Sequence, residues 1–172
     1  RYFDIFVEYA KADPEDMLIR IEVINRGTEE AGITVMPTLW FRNTWSYGKV
    51  KTRPDIRLAE KGEGGRNVLE AVHEGLGTWY LFFEEAGSVL FTENETNTER
   101  LFGVPNADPF VKDAFHDAVI HDNFGMLLDK KSGTKSGIVY RLTIPGEESR
   151  KIRRRLCGRA ISPDPFGAGY DD

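Results

Sequence analysis

One cysteine, Cys157, and three histidines, His73, His116 and His121, are all that 172 residues offer to thiol or metal chemistry. A lone thiol closes no internal disulfide, and no charged, apolar leader precedes the first strand pattern, so a reducing, cytoplasmic location is expected. The histidines share no ligand spacing with one another or with the cysteine, and neither a metal nor another cofactor is expected. No apolar stretch approaches the roughly 20 residues that a membrane-crossing helix needs. Positive charge is also in deficit: 23 lysines and arginines face 28 acids, and a net charge of −5 repels phosphate backbones and anionic lipid. Nucleic acid and membrane are therefore set aside as partners. G-x-S-x-G, the P-loop and G-x-G-x-x-G are missing too, which leaves nucleophilic hydrolysis, nucleotide binding and dinucleotide chemistry unsupported.

What the chain has in quantity is alternation with period two, the mark of half-buried strands. In MLIRIEVINRG, Met17, Ile19, Ile21 and Val23 share one face while Arg20 and Glu22 take the other, and the preceding strand RYFDIFVEYA joins it as a hairpin. GITVMPTLWF sets Ile33, Val35, Leu39 and Phe41 together, with Pro37 marking an edge or a bulge because it has no backbone donor. WYLFFEE and SVLFTE read as a second hairpin across Ala86-Gly87. GIVYRLTIP and EESRKIRRRL read as a third across Pro145-Gly146, with Ile138, Tyr140, Leu142 and Ile144 on one face. In the basic run, Ile152 and Leu156 fall on one side and Lys151, Arg153 and Arg155 on the other. A single helix is expected in DPFVKDAFHDAVI, capped by Asp108 with Pro109 in its first turn. The charged, glycine-rich residues 58–65 read as a mobile loop. The expected fold is mainly β: an antiparallel β-sandwich with one short helix.

At this length one domain is expected, residues 1–160, followed by a Pro-, Gly- and Asp-rich linker at 161–172. The chain opens already in strand pattern, without an initiator methionine, and reads as a piece of something larger.

Two polar clusters carry whatever chemistry there is. In PTLWFRNTWSYG, Trp40, Trp45 and Tyr47 surround Arg42 and Asn43 at a strand end. Such a mixture can hold a sugar, with rings stacking on C–H faces and polar groups bonding hydroxyls; it can equally be core packing or an internal interface. The second cluster runs from Thr92 to Arg100 without one apolar side chain and contains Glu93, Asn94, Glu95, Asn97 and Arg100. Its glutamates lie close enough to repel one another unless a cation such as Arg100 joins them. Paired carboxylates also serve glycoside hydrolysis, but a solvated face or a structural network explains them as well. The sequon Asn94-Glu95-Thr96 matters only in a secretory compartment.

RYFDIFVEYAKADPEDMLIRIEVINRG, PTLWFRNTWSYG, LFTENETNTERLFGVPN and VKDAFHD together resemble the N-terminal β-domain of large bacterial proteins related to glycoside hydrolase family 63, the mannosyl-oligosaccharide glucosidase family. The resemblance spans most of the chain, and the order of LWFRNTW and FTENETN-ERLFG carries its specificity. It implies a β-supersandwich packed on a toroid of paired helices, where an acid aspartate and a base glutamate perform inverting hydrolysis. No position here matches those catalytic motifs, so no catalytic residue is assigned. The expected partner is the helical catalytic domain of the same parent chain, with Trp40, Arg42, Asn43, Trp45, Tyr47, Glu93, Asn94, Glu95, Asn97 and Arg100 as the contact to it or to an oligosaccharide. A carbohydrate-binding module is the alternative, and a stand-alone hydrolase the third reading.

Overall fold

The structure, a computed structural model, describes residues 2–48, 52–59, 67–84, 87–158, 164–167 and 170. Strands are numbered in chain order. The larger sheet places β1 (Phe3–Asp13), β2 (Asp16–Asn25), β11 (Ser149–Cys157), β7 (Gly77–Phe83), β6 (Asn67–His73), β5 (Asp55–Leu58) and β9 (Ser132–Gly133) side by side in that order. The smaller sheet is built on β10 (Lys135–Ile144), which pairs with β8 (Ser88–Thr92) along one edge and with β3 (Ala31–Val35) and β4 (Thr38–Trp40) along the other. Pairing is antiparallel throughout both sheets. Alternation supplies the core between them: Ile19, Ile21 and Val23 of β2 and Leu81 and Phe83 of β7 meet Ile138, Tyr140 and Ile144 of β10. The mainly-β antiparallel sandwich read from the sequence is present.

Pro37 sits where the sequence placed a break. Its carbonyl accepts from the Ile138 amide at 3.1 Å, so the gap between β3 and β4 stays bonded to β10 although proline donates nothing. The β1–β2 hairpin forms in full register, from Phe3 opposite Asn25 to Lys11 opposite Met17.

The other two expected hairpins do not form. β7 pairs with β6 and β11 in the larger sheet, whereas β8 pairs with β10 in the smaller one. Likewise β10 belongs to the smaller sheet and β11 to the larger, where β2 and β7 flank it. Period two fixes which face of a strand is buried, but a tight turn can join facing strands across a core as readily as neighbours in a sheet. The β10–β11 crossing depends on close approach: a Cβ on Gly146 would lie 2.3 Å from the Thr28 carbonyl. Asn25, fully buried, locks the same corner by donating to the carbonyls of Glu29 at 2.8 Å and Ile144 at 3.0 Å.

The expected helix begins later than Asp108 and Pro109. α2 spans Ala114–Ile120 after an N-cap position at Asp113, and buries Phe115 and Ala118. Asp108 instead closes a local turn, its Oδ1 accepting from the Phe110 amide at 2.7 Å. A second short helix, α1 (Thr98–Phe102), forms inside the polar stretch, so the single helix expected is one of two among the described residues. Of the loop expected at 58–65, residues 60–65 lie outside the described residues, as does Ala86 of the second expected turn. In the segment read as a linker, Pro165 and Tyr170 are buried, and the Tyr170 hydroxyl accepts from the Arg154 amide at 3.1 Å and donates to the Ile19 carbonyl at 2.7 Å. Residues 161–163, 168–169 and 171–172 lie outside the described residues.

Candidate functional site

Where β8 ends the chain leaves the sheet, yet Glu93 stays almost wholly buried, 6% exposed. A buried carboxylate is costly unless its oxygens are satisfied, and here they are. Oε2 receives the Thr134 hydroxyl at 2.9 Å, the Thr134 amide at 3.2 Å and the guanidinium of Arg53, while Oε1 meets the Lys130 ammonium at 3.1 Å. Lys130 reaches on to Asp108 at 2.8 Å. Burial alone would raise the Asp108 carboxyl, but the Lys130 ammonium and the Phe110 amide outweigh it and leave the group below the ordinary aspartate range. Burial works against the Lys130 charge as well, and its bonds to Asp108 and Glu93 overcome that and hold the ammonium above the usual lysine range.

Arg53 also bridges to Glu95, 3.3 Å from its Oε1, and the same oxygen accepts from the Trp45 indole at 2.8 Å. Two neighbouring carboxylates thus share one guanidinium, which removes the repulsion the sequence implied. Backbone bonds fix their height. The Glu93 amide donates to the Phe110 carbonyl at 2.8 Å and the Lys112 amide to the Glu95 carbonyl at 3.2 Å, a short parallel bridge between Glu93 and Val111. Asn94 donates to the Phe41 carbonyl at 2.8 Å, so its side-chain amide is engaged in the fold. Asn97 caps α1 by accepting from the Arg100 amide at 2.9 Å and accepts from Asn106 at 3.0 Å; Arg100 pairs with Asp113 at 3.2 Å.

Above this network lies an open cleft of about 320 Å³, lined by Asn43, Ser46, Tyr47, Glu95, Thr98 and Asn106 among others. The two clusters singled out in the sequence therefore meet in one place. Asn43 shapes the rim by accepting from the Ser46 amide at 3.1 Å, which tightens the 3-10 turn at Trp45–Tyr47 and leaves the Tyr47 ring exposed. Trp45 is only partly buried, tied to Glu95. Of the expected members, Asn43, Tyr47 and Glu95 line the cleft, while Trp45, Glu93, Asn94, Asn97 and Arg100 do not line it but belong to the bonded network. Trp40 is an exposed strand residue paired with Lys135 of β10, and Arg42 is exposed, and neither lines the cleft. Nor is Arg100 the cation that neutralises the glutamates; Arg53 and Lys130 are, and Arg100 serves Asp113 instead.

Sequence reasoning missed Arg53, Lys130, Asp108 and Thr134, which come from three segments: before β5, between α1 and α2, and on either side of β9. The only available signal was indirect: three glutamates in nine polar residues needed cations that the stretch itself did not supply in number. Gly133 is the hidden requirement. A Cβ there would lie 2.4 Å from the Thr92 carbonyl, so only glycine lets Thr134 reach Glu93. Among the described residues no group of three His, Cys, Asp or Glu side chains is arranged to hold a metal, and no helix is long and apolar enough to cross a membrane.

No protein-family model matches the chain. The chain is similar to the uncharacterized protein YMR196W of Saccharomyces cerevisiae, with 28% identity over 181 residues covering 90% of this chain. It spans 16% of the length of that relative.

Proposed function

We propose that this chain is a non-catalytic β-domain of a larger cytoplasmic protein resembling glycoside hydrolase family 63, and that its polar end docks on a helical catalytic domain of the same parent chain. The observation that supports this reading is the convergence of PTLWFRNTWSYG, FTENETNTERLFG and VKDAFHD on one cleft whose carboxylates are already committed. Inverting hydrolysis needs an acid and a base roughly 6.5–9.5 Å apart with a water between them. Glu93 is instead clamped by Arg53, Lys130 and Thr134, and Glu95 by Arg53 and Trp45. Carboxylates held in this way build a rigid wall. The much greater length of the yeast relative is consistent with a domain of a multi-domain protein.

The test begins with the coding sequence on either side of these 172 residues, which this reading expects to encode paired helices. That flanking polypeptide, produced separately, should associate with the β-domain, and Tyr47→Arg should weaken the association. Flanking sequence without helical pattern, or no association between the two polypeptides, would contradict the reading.

The exposed Tyr47 ring beside Asn43, Glu95 and Asn106 favours a second reading, a carbohydrate-binding cleft. Calorimetric titration with glucosides and mannosides separates the two. Heat that disappears in Tyr47→Ala supports sugar binding, and no heat with any sugar removes it.

A further inference from the structure

At the opposite edge of the larger sheet, β1 pairs among the described residues with β2 alone. The larger sheet overhangs the smaller one here. Phe3 packs on the core, but Ile5, Val7 and Tyr9, which share its face, are exposed, and so is Phe6 on the reverse face. An 11-residue edge carrying exposed apolar side chains is a template for another strand, which proteins ordinarily cover or break up with charge. Two of its charges are held within the hairpin, where Asp4 pairs with Arg26 and Glu8 with Arg20, each at 2.7 Å.

We infer that β1 pairs with β1 of a second copy of this chain, antiparallel about a twofold axis at Val7, to join two larger sheets into one. A twofold axis perpendicular to the sheet keeps like faces on one side, so the paired residues must share parity. Centred on Val7, the register sets Ile5 against Tyr9 of the second copy, Val7 against Val7 and Phe6 against Glu8, and no two carboxylates face each other. Centring on Phe6 would oppose Asp4 to Glu8, and centring on Glu8 would oppose Glu8 to itself, both repulsive. Centring on Ile5 shortens the overlap. The favoured register also brings Ile5, Val7 and Tyr9 of both copies into one apolar strip, removing the surface that each leaves open to water. Because each copy carries a net charge of −5, added salt should strengthen the pairing.

Sedimentation equilibrium of the 172-residue chain across the micromolar range tests this. A concentration-dependent dimer is expected. Val7→Lys places two ammonium groups opposite each other and should weaken the dimer at least about tenfold. Because Val7 is exposed, circular dichroism should show an unchanged fold. Ile5→Lys and Tyr9→Glu should each weaken the dimer alone, and the double variant should recover part of the loss, since those positions face each other only in this register. A monomer at every concentration, a dimer indifferent to Val7→Lys, or a double variant no better than its singles would overturn the inference. The outcome is independent of the function proposed above, because it needs neither a sugar nor a helical partner.

Discussion

Glu93 and Arg154 are equally buried, 6% exposed each, and are treated in opposite ways. Glu93 sits at the cleft end, where Arg53, Lys130 and Thr134 converge on its carboxylate. Arg154 stands on the inner face of β11 between Ile152 and Leu156, where its Nε has no hydrogen-bond partner and no carboxylate pairs with it among the described residues. Its neighbours fare better, since Arg153 binds Glu84 at 2.9 Å and Arg155 binds Asp16 at 2.8 Å on the outer face. Burial pulls the Arg154 guanidinium below its ordinary range, partly offset by the Tyr140, Tyr9 and Tyr170 phenols. In a run of three arginines on a strand, one must take the core face, and the outer acids satisfy only the other two. The cleft end is thus specified by charge, while the core end tolerates a charge it does not use.

The largest effect should come from removing the satisfied group. Glu93→Leu leaves Lys130 without one partner and Thr134 without its acceptor, and the cost should be about 3 kcal/mol in denaturant unfolding. A change below 1 kcal/mol, on that same scale, would show the network to be ornamental. Gly133→Ala, which adds only a methyl group, should cost about 2 kcal/mol because it meets the Thr92 backbone and not a movable side chain. Arg154→Met should move the other way, stabilising by about 1 kcal/mol as an unpaired buried cation gives way to an apolar chain of similar length. Destabilisation by that change would mean that Arg154 is paired in solution, and the contrast with Glu93 would fail.

Smaller still is the effect of pH through Asp108. Its folded carboxyl ionises below the unfolded value of about 3.9, so its bond to Lys130 adds stability above that value and loses it as pH falls through the lower, folded one. Asp108→Asn should flatten this acid limb in thermal melts recorded between neutral and acidic pH. An unchanged limb would assign the acid sensitivity to another carboxylate.

Alternation made the faces of β2, β10 and β11 legible, along with the interruption at Pro37, because burial at every second residue is a local property of a strand. Strand partners were less so. The β7-to-β8 and β10-to-β11 connections resemble hairpins in sequence, yet each crosses the core, and what decides between the two is packing such as that of Gly146 on Thr28. At the site, the aromatic and glutamate clusters were recognisable, as was the need for a cation near the glutamates. Which cation was not, because Arg53 and Lys130 arrive from loops whose approach is set by the whole sandwich. Trp40 was misplaced for a related reason: it alternates with Leu39, so when Leu39 packs on the core Trp40 must point out.

The most direct measurement of the central claim is hydrolysis of aryl glucosides by the 172-residue chain alone. The account predicts no turnover above the uncatalysed rate, since both candidate carboxylates are engaged in holding the wall together. Turnover that falls in Glu95→Gln while the fold is retained would contradict it.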